Sequence, residues 1–274
     1  MLESSSAYLN ELGNRYFSRG YYTEAYRCYI RALEFDRRGG DCRAVATTMG
    51  NLGNICAVSG RREQAHQYYL EVLELQKNLG DDRGIGATLA NLGNLCVDAG
   101  EWERGRAYYL EALDLMNRTG DIGAKAVLLS DLGLVAKEMG EFDLALSYYD
   151  EALRLMRQAH NIAGQADVYR MIARLYLAMG RRQEALACAR TSLAMAERLH
   201  DELRVGGAQY VLAECFEDMG QIAEAIECLT LVVRIDRKFR LPKLQENTAR
   251  LEALIQRQKS QPTSAPAHRS SVLS

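Results

Sequence analysis

Apolar residues stand at Leu89, Leu92, Leu95 and Cys96, with polar or small residues between them. That i, i+3, i+6, i+7 spacing marks one face of a helix. Gly93 falls on the same packing side, where a missing side chain lets a neighbouring helix approach and offsets a helix cost of ~1 kcal/mol. Asp98-Ala99-Gly100-Glu101 then reads as a turn, with Gly100 free to take positive φ as a C-cap. A second helix is predicted from Trp102, with an apolar stripe of Ala107, Tyr108, Leu110, Ala112, Leu113, Leu115 and Met116. Gly120-Asp121 closes the unit, and Asp121 is placed to cap the next helix. The pattern is helix A, turn, helix B, turn.

The same pattern returns every forty residues. Gly20, Gly60, Gly100, Gly140, Gly180 and Gly220 form one column. Leu12, Leu52, Leu92, Leu132, Ile172 and Leu212 form a second, and Ala25, Ala65, Gly105, Ala145, Ala185 and Ala225 a third. Six rows in phase cover residues 1 to about 240, the signature of a helical solenoid whose repeats bury their faces on one another. Such a stack needs a polar end. The segment 242–258, with Leu244, Leu251, Leu254 and Ile255 among charges, is expected to be a capping helix. Residues 259–274 are rich in Ser, Pro, Ala and Gln, lack core formers, and are expected to be a disordered tail.

Several columns carry a resemblance. Helix A holds a leucine and a small residue (Leu12-Gly13, Leu52-Gly53, Leu92-Gly93, Leu132-Gly133). Helix B opens on an aromatic in three rows (Tyr22, Trp102, Phe142), then carries the small residue, a tyrosine (Tyr29, Tyr69, Tyr109, Tyr149) and pairs such as Ala112-Leu113. These residues resemble the tetratricopeptide repeat family, whose usual repeat has 34 residues and a proline near its end. Here the proline is missing and the six added residues lengthen helix B by ~9 Å. The resemblance implies an all-α, right-handed α-solenoid of six repeats over 1–241. The forty-residue form, with Tyr-Tyr-Leu-Glu-Ala-Leu, Gly-Asp and Asn-Leu-Gly-Asn, looks most like the LGN/Pins adaptors. It is best in rows two and three, while rows five and six depart to Ile172-Ala173-Arg174 and Leu212-Ala213-Glu214. No G-protein-binding motif follows the repeats in this sequence, so that role is not carried over.

Composition narrows the function. With 48% hydrophobic residues, the 274-residue chain has material for a sizeable core. Its 34 basic and 36 acidic residues give a formal charge of −2, which offers no electrostatic reason for nucleic-acid binding. No basic segment followed by an apolar run opens the chain and no stretch has the ~20 apolar residues of a membrane span, so a cytoplasmic location without membrane insertion is expected. Seven cysteines lack C-x-x-C spacing. Equivalent cysteines on stacked repeats are expected ~10 Å apart, beyond the ~4.4–6.8 Å reach of a disulfide, which favours core filling. Four scattered histidines and the absence of phosphate-loop, zinc-protease or nucleophile-elbow motifs argue against an enzyme, a metal site or a cofactor.

The candidate site follows from the resemblance, in which the inner face of helix A lines a concave groove. On this sequence that face carries Asn10, Asn14, Asn51, Asn54, Asn91, Asn94 and Asp131. An asparagine amide offers a donor and an acceptor, matching a peptide group, so the ladder suits an extended peptide. The alternative is that these amides tie neighbouring helices together, since asparagine is a poor helix-interior residue without a reason. Arg170 and Arg174 share the face in row five, opposite Glu214, Glu217 and Asp218 in row six. They suit either an acidic partner group or an inter-repeat salt-bridge network. The cationic clamp of Hsp70- and Hsp90-binding relatives is not matched, because Asn10, Asn14, Asn51, Ala87 and Asn91 stand at its positions. The Tyr68-Tyr69, Tyr108-Tyr109 and Tyr148-Tyr149 strip is expected in the core. The function expected is a non-catalytic scaffold or adaptor that binds a protein segment in the groove. The alternative is a self-assembling scaffold or assembly factor, with homo-oligomers formed through an uncovered end.

Overall fold

The computed structural model describes residues 5–260, and the expected tail falls outside them from residue 261 onward. Thirteen helices and no strand are found among the described residues. They divide into two compact units, Met1–Ala159 and His160–Ser274. Unit 1 holds four helix pairs: α1 (Ser6–Ser18) and α2 (Tyr22–Gly39), α3 (Cys42–Val58) and α4 (Arg62–Leu79), α5 (Asp82–Asp98) and α6 (Trp102–Thr119), α7 (Ile122–Glu138) and α8 (Phe142–Gln158). Unit 2 holds α9 (Ile162–Ala178) and α10 (Arg182–Arg198), α11 (Glu202–Asp218) and α12 (Ile222–Phe239), then α13 (Leu244–Ser260). Each odd-numbered helix up to α11 is a helix A and its partner a helix B, so the fold is an all-α solenoid of helical repeats. No helix among the described residues is long and apolar enough to cross a membrane.

Local chemistry sets the boundaries. From row two onward every helix A opens on a capping side chain. Asp41, Asp81, Asp121, Asn161 and Asp201 each accept a hydrogen bond from a backbone N–H three residues on. Helix A ends at a glycine of positive φ, such as Gly100 at 75°, and the Glu101 N–H then turns back onto the Cys96 carbonyl. Helix B ends on Gly40, Gly80 and Gly120 in the first three rows. Rows four to six put His160, His200 and Arg240 at φ of 52°, 52° and 54° instead.

Within a repeat the two helices meet through one repeated contact. A Cβ on Gly13, Gly53, Gly93 or Gly133 would lie 2.5–2.6 Å from the ring of Tyr29, Tyr69, Tyr109 or Tyr149. These tyrosines are almost wholly buried. Rows five and six have neither partner: Ala173 and Ala213 replace the glycine, Ala189 and Leu229 the tyrosine. The helix A glycine is thus the seat of a ring. The stripe expected on α6 shifts accordingly: Gly105, Tyr109, Ala112, Leu115 and Met116 are buried, whereas Ala107 and Leu110 face outward. The Tyr109 ring is fully buried because its helix A neighbour leaves room for it, and the Tyr108 ring packs half-buried against the same core.

Successive repeats are joined by the end of helix B and the middle of the next helix A. The Thr48 hydroxyl donates to the buried Asp36 carboxylate at 2.7 Å. Thr88 bonds Gln76 at 2.8 Å. In unit 2 the buried Asn247 amide donates to Asp236 at 2.7 Å, which seats α13 on α12. Helix α13 starts two residues after Pro242 and runs to Ser260, with Leu254 buried against Leu229 and Ala225. In both units an apolar core runs along the stack.

Candidate functional site

In unit 1 helix α3 touches α5, and in unit 2 α9 touches α11; among the described residues of either unit, no pair of successive B helices meets as closely. The A helices therefore line the inner side of each unit. The asparagines on that side divide into three kinds. Asn14, Asn54 and Asn94 each accept the hydroxyl of the tyrosine fifteen residues on, at 2.6, 2.8 and 2.5 Å. Those bonds hold helix A to helix B in the same repeat, and burial pushes the Tyr29 and Tyr69 phenols up to about 12. Asn10 is drawn into the inter-repeat clasp, its amide donating to Thr48 Oγ1 at 2.8 Å.

Asn51 and Asn91 are the third kind. They occupy the same register of α3 and α5, are half-buried, and make no side-chain hydrogen bond among the described residues. Asp131 continues the column on α7. It is half-buried and has no hydrogen-bond or ion-pair partner among the described residues. Burial raises its carboxyl from the usual carboxylate range to about 7. The charged groups nearest in sequence on α7 are committed elsewhere: Lys125 to Glu151 at 3.0 Å and Lys137 to Glu138.

Unit 2 presents a different inner side. Arg174 reaches Glu214 on the next helix A at 3.3 Å and lies 5.5 Å from the Tyr210 ring. Arg170 lies 3.7 Å from Asp167, a carboxylate it shares with Arg204. Its Cδ rests 3.4 Å from where Gly207 would carry a Cβ, so that glycine makes room for the guanidinium. Burial lowers the Arg170 pKa, with Asp167 opposing and Arg174 adding to the shift. Arg250 of α13 pairs with Glu217 at 2.6 Å and lies 5.0 Å from the same Tyr210 ring. The salt-bridge network between repeats is therefore built, and Arg170 is its least closely paired cation.

Sequence reading missed the pairing of asparagine with tyrosine. The signal was present: the two types recur fifteen residues apart in three rows, and row four puts Leu134 where the amide would be. All seven cysteines are free. Burial pushes the thiols of Cys215 and Cys228 up to about 12 and about 11, as befits core fillers, while Cys42 is exposed. No group of three His, Cys, Asp or Glu residues that could hold a metal ion occurs among the described residues.

Comparison with solved structures gives the same architecture. BtubC (BKLC) from P. vanneervenii is 19% identical over 91% of this chain and 96% of its own, with a TM-score of 0.66. The apo form of RapI is 14% identical over 86% and 84%, with a TM-score of 0.71. A Rap protein complexed with competence and sporulation factor is 14% identical over 92% and 75%, with a TM-score of 0.68. At such identities the likeness is one of fold. The comparison with curated proteins finds no match. Tetratricopeptide repeats are matched over residues 3–78, 84–158 and 164–238, which with the helix pairs and their ring-on-glycine contacts makes this chain a member of the tetratricopeptide repeat family.

Proposed function

We propose that the chain is a non-catalytic adaptor that holds an extended peptide segment of a partner protein along the A helices of unit 1. The observation carrying this reading is the pair Asn51 and Asn91. Two half-buried amides in equivalent register, both unbonded, are positioned for the donor and acceptor of a peptide group. The bonded asparagines explain themselves structurally, and these two do not. The fold is one used for partner binding: the Rap protein that shares it is complexed with competence and sporulation factor. The forty-residue repeats also resemble those of the LGN/Pins adaptors.

The test uses a peptide selected on the intact protein from a displayed random 12-mer library. Asn51→Ala with Asn91→Ala is expected to weaken that peptide ~5- to 150-fold, at ~0.5–1.5 kcal/mol per amide, with an unchanged melting temperature. Asn54→Ala with Asn94→Ala should lower the melting temperature instead, because it strands two buried tyrosine hydroxyls. Calorimetry of binding and of unfolding on the same samples separates the two. Affinity indifferent to Asn51 and Asn91 would move the site off this face.

A further inference from the structure

Among the described residues, half-buried carboxylates on the inner side are, with one exception, neutralised from within. Glu214 has Arg174, Glu217 has Arg250, and Asp167 has Arg204 at 3.1 Å. Asp131 has none. Among the described residues of unit 1 no cation pairs with it, and α8 brings the buried Tyr149 ring against the neighbouring Gly133. From α6 comes Tyr109, close enough for the Asp131 charge to raise its phenol, yet its hydroxyl is spent on Asn94. From α5 come Asn91, Asn94 and the further acid Asp98. On α7 itself, Lys125 and Lys137 are bound to Glu151 and Glu138. A carboxylate withdrawn from water without a counter-charge costs folding free energy, and a neutral residue would avoid that cost.

We infer that Asp131 is the receptor for a basic side chain, lysine or arginine, of the segment bound along Asn51 and Asn91, an assignment that rests on the groove reading above. A charge-assisted hydrogen bond from an ammonium or guanidinium supplies what the protein withholds. The absence of an internal cation also gives specificity. An acidic residue at that point of the segment would meet a like charge, and an apolar one would leave the carboxylate desolvated and unpaired.

The experiment is a positional-scanning array of N-acetylated, C-amidated 12-mers built on the selected peptide, probed with the full chain. The expected result is a lysine or arginine preference at one position, about tenfold in Kd over norleucine. Asp131→Asn should reduce that ratio to within about twofold without lowering the melting temperature, and Asp131→Glu should retain it. The preference should grow between pH 5.5 and 8 as the carboxyl ionises. Three outcomes overturn the assignment. One is a peptide that depends on Asn51 and Asn91 but shows no basic preference, which leaves the groove reading standing. Another is a preference that survives in Asp131→Asn. The last is binding indifferent to all three residues, which removes the groove reading too.

Discussion

A left-handed backbone tests side chains most severely where it repeats. Gly40, Gly80 and Gly120 end helix B at φ between 63° and 71°, and His160 and His200 do the same work at 52°. A side chain there costs ~1–2 kcal/mol that glycine avoids. His160→Gly and His200→Gly should therefore each stabilise the fold by about 1 kcal/mol, read as a higher urea midpoint at unchanged slope. Asp131 gives a second residue-scale prediction, now in pH. Its carboxyl titrates near 3.9 when unfolded and at about 7 when folded. The folded state holds the proton longer, so stability is full below pH 4 and is lost progressively as pH rises toward 7. The stability gained by Asp131→Asn should grow across that window and level off above it, in urea titrations at pH 4.5, 6 and 8. The columns of Gly, Leu and Ala were legible in the sequence because burial filters them the same way in each row. The roles of the asparagines were not: Asn51 and Asn54 differ only in what stands on the facing helix. That partner is fifteen residues away and carries no helical periodicity.

Among the elements, the helices ended close to the positions their glycines and aspartates announced, since capping is decided within four residues. The face of α6 was harder to read. A stripe drawn on hydrophobicity alone admits the exposed Leu110, and the seat offered by Gly93 is what buries Tyr109 more fully than Tyr108. Helix α13 shows the same dependence on a neighbour. Its start is displaced to Leu244, where Asn247 meets Asp236, and Leu254 is its buried anchor. Leu254→Ala should cost ~2–5 kcal/mol, the range for a buried leucine in a close-packed site. Ile255→Ala, at a half-buried position, should cost less. Thermal unfolding of the two variants side by side checks the order, and equal losses would mean that α13 rests on unit 2 by a different face.

Within each unit, the contacts among the described helices join neighbours in sequence or one repeat apart, so each unit is organised as a series of local bargains between adjacent rows. That is why the architecture was so readable and the partner was not: a forty-residue period specifies stacking, and stacking is indifferent to what the inner face carries. The columns have one more consequence. Packed helices stand about 8–10 Å apart, and an extended chain advances about 3.3 Å per residue. On the reading proposed above, Asn51, Asn91 and Asp131 would be graduations on a ruler whose divisions are about three or more residues of a bound strand. A ligand read by this ruler would be addressed at about every third side chain, with those between left to vary. Its recognition motif would be a sparse code of period three, ending on a positive charge.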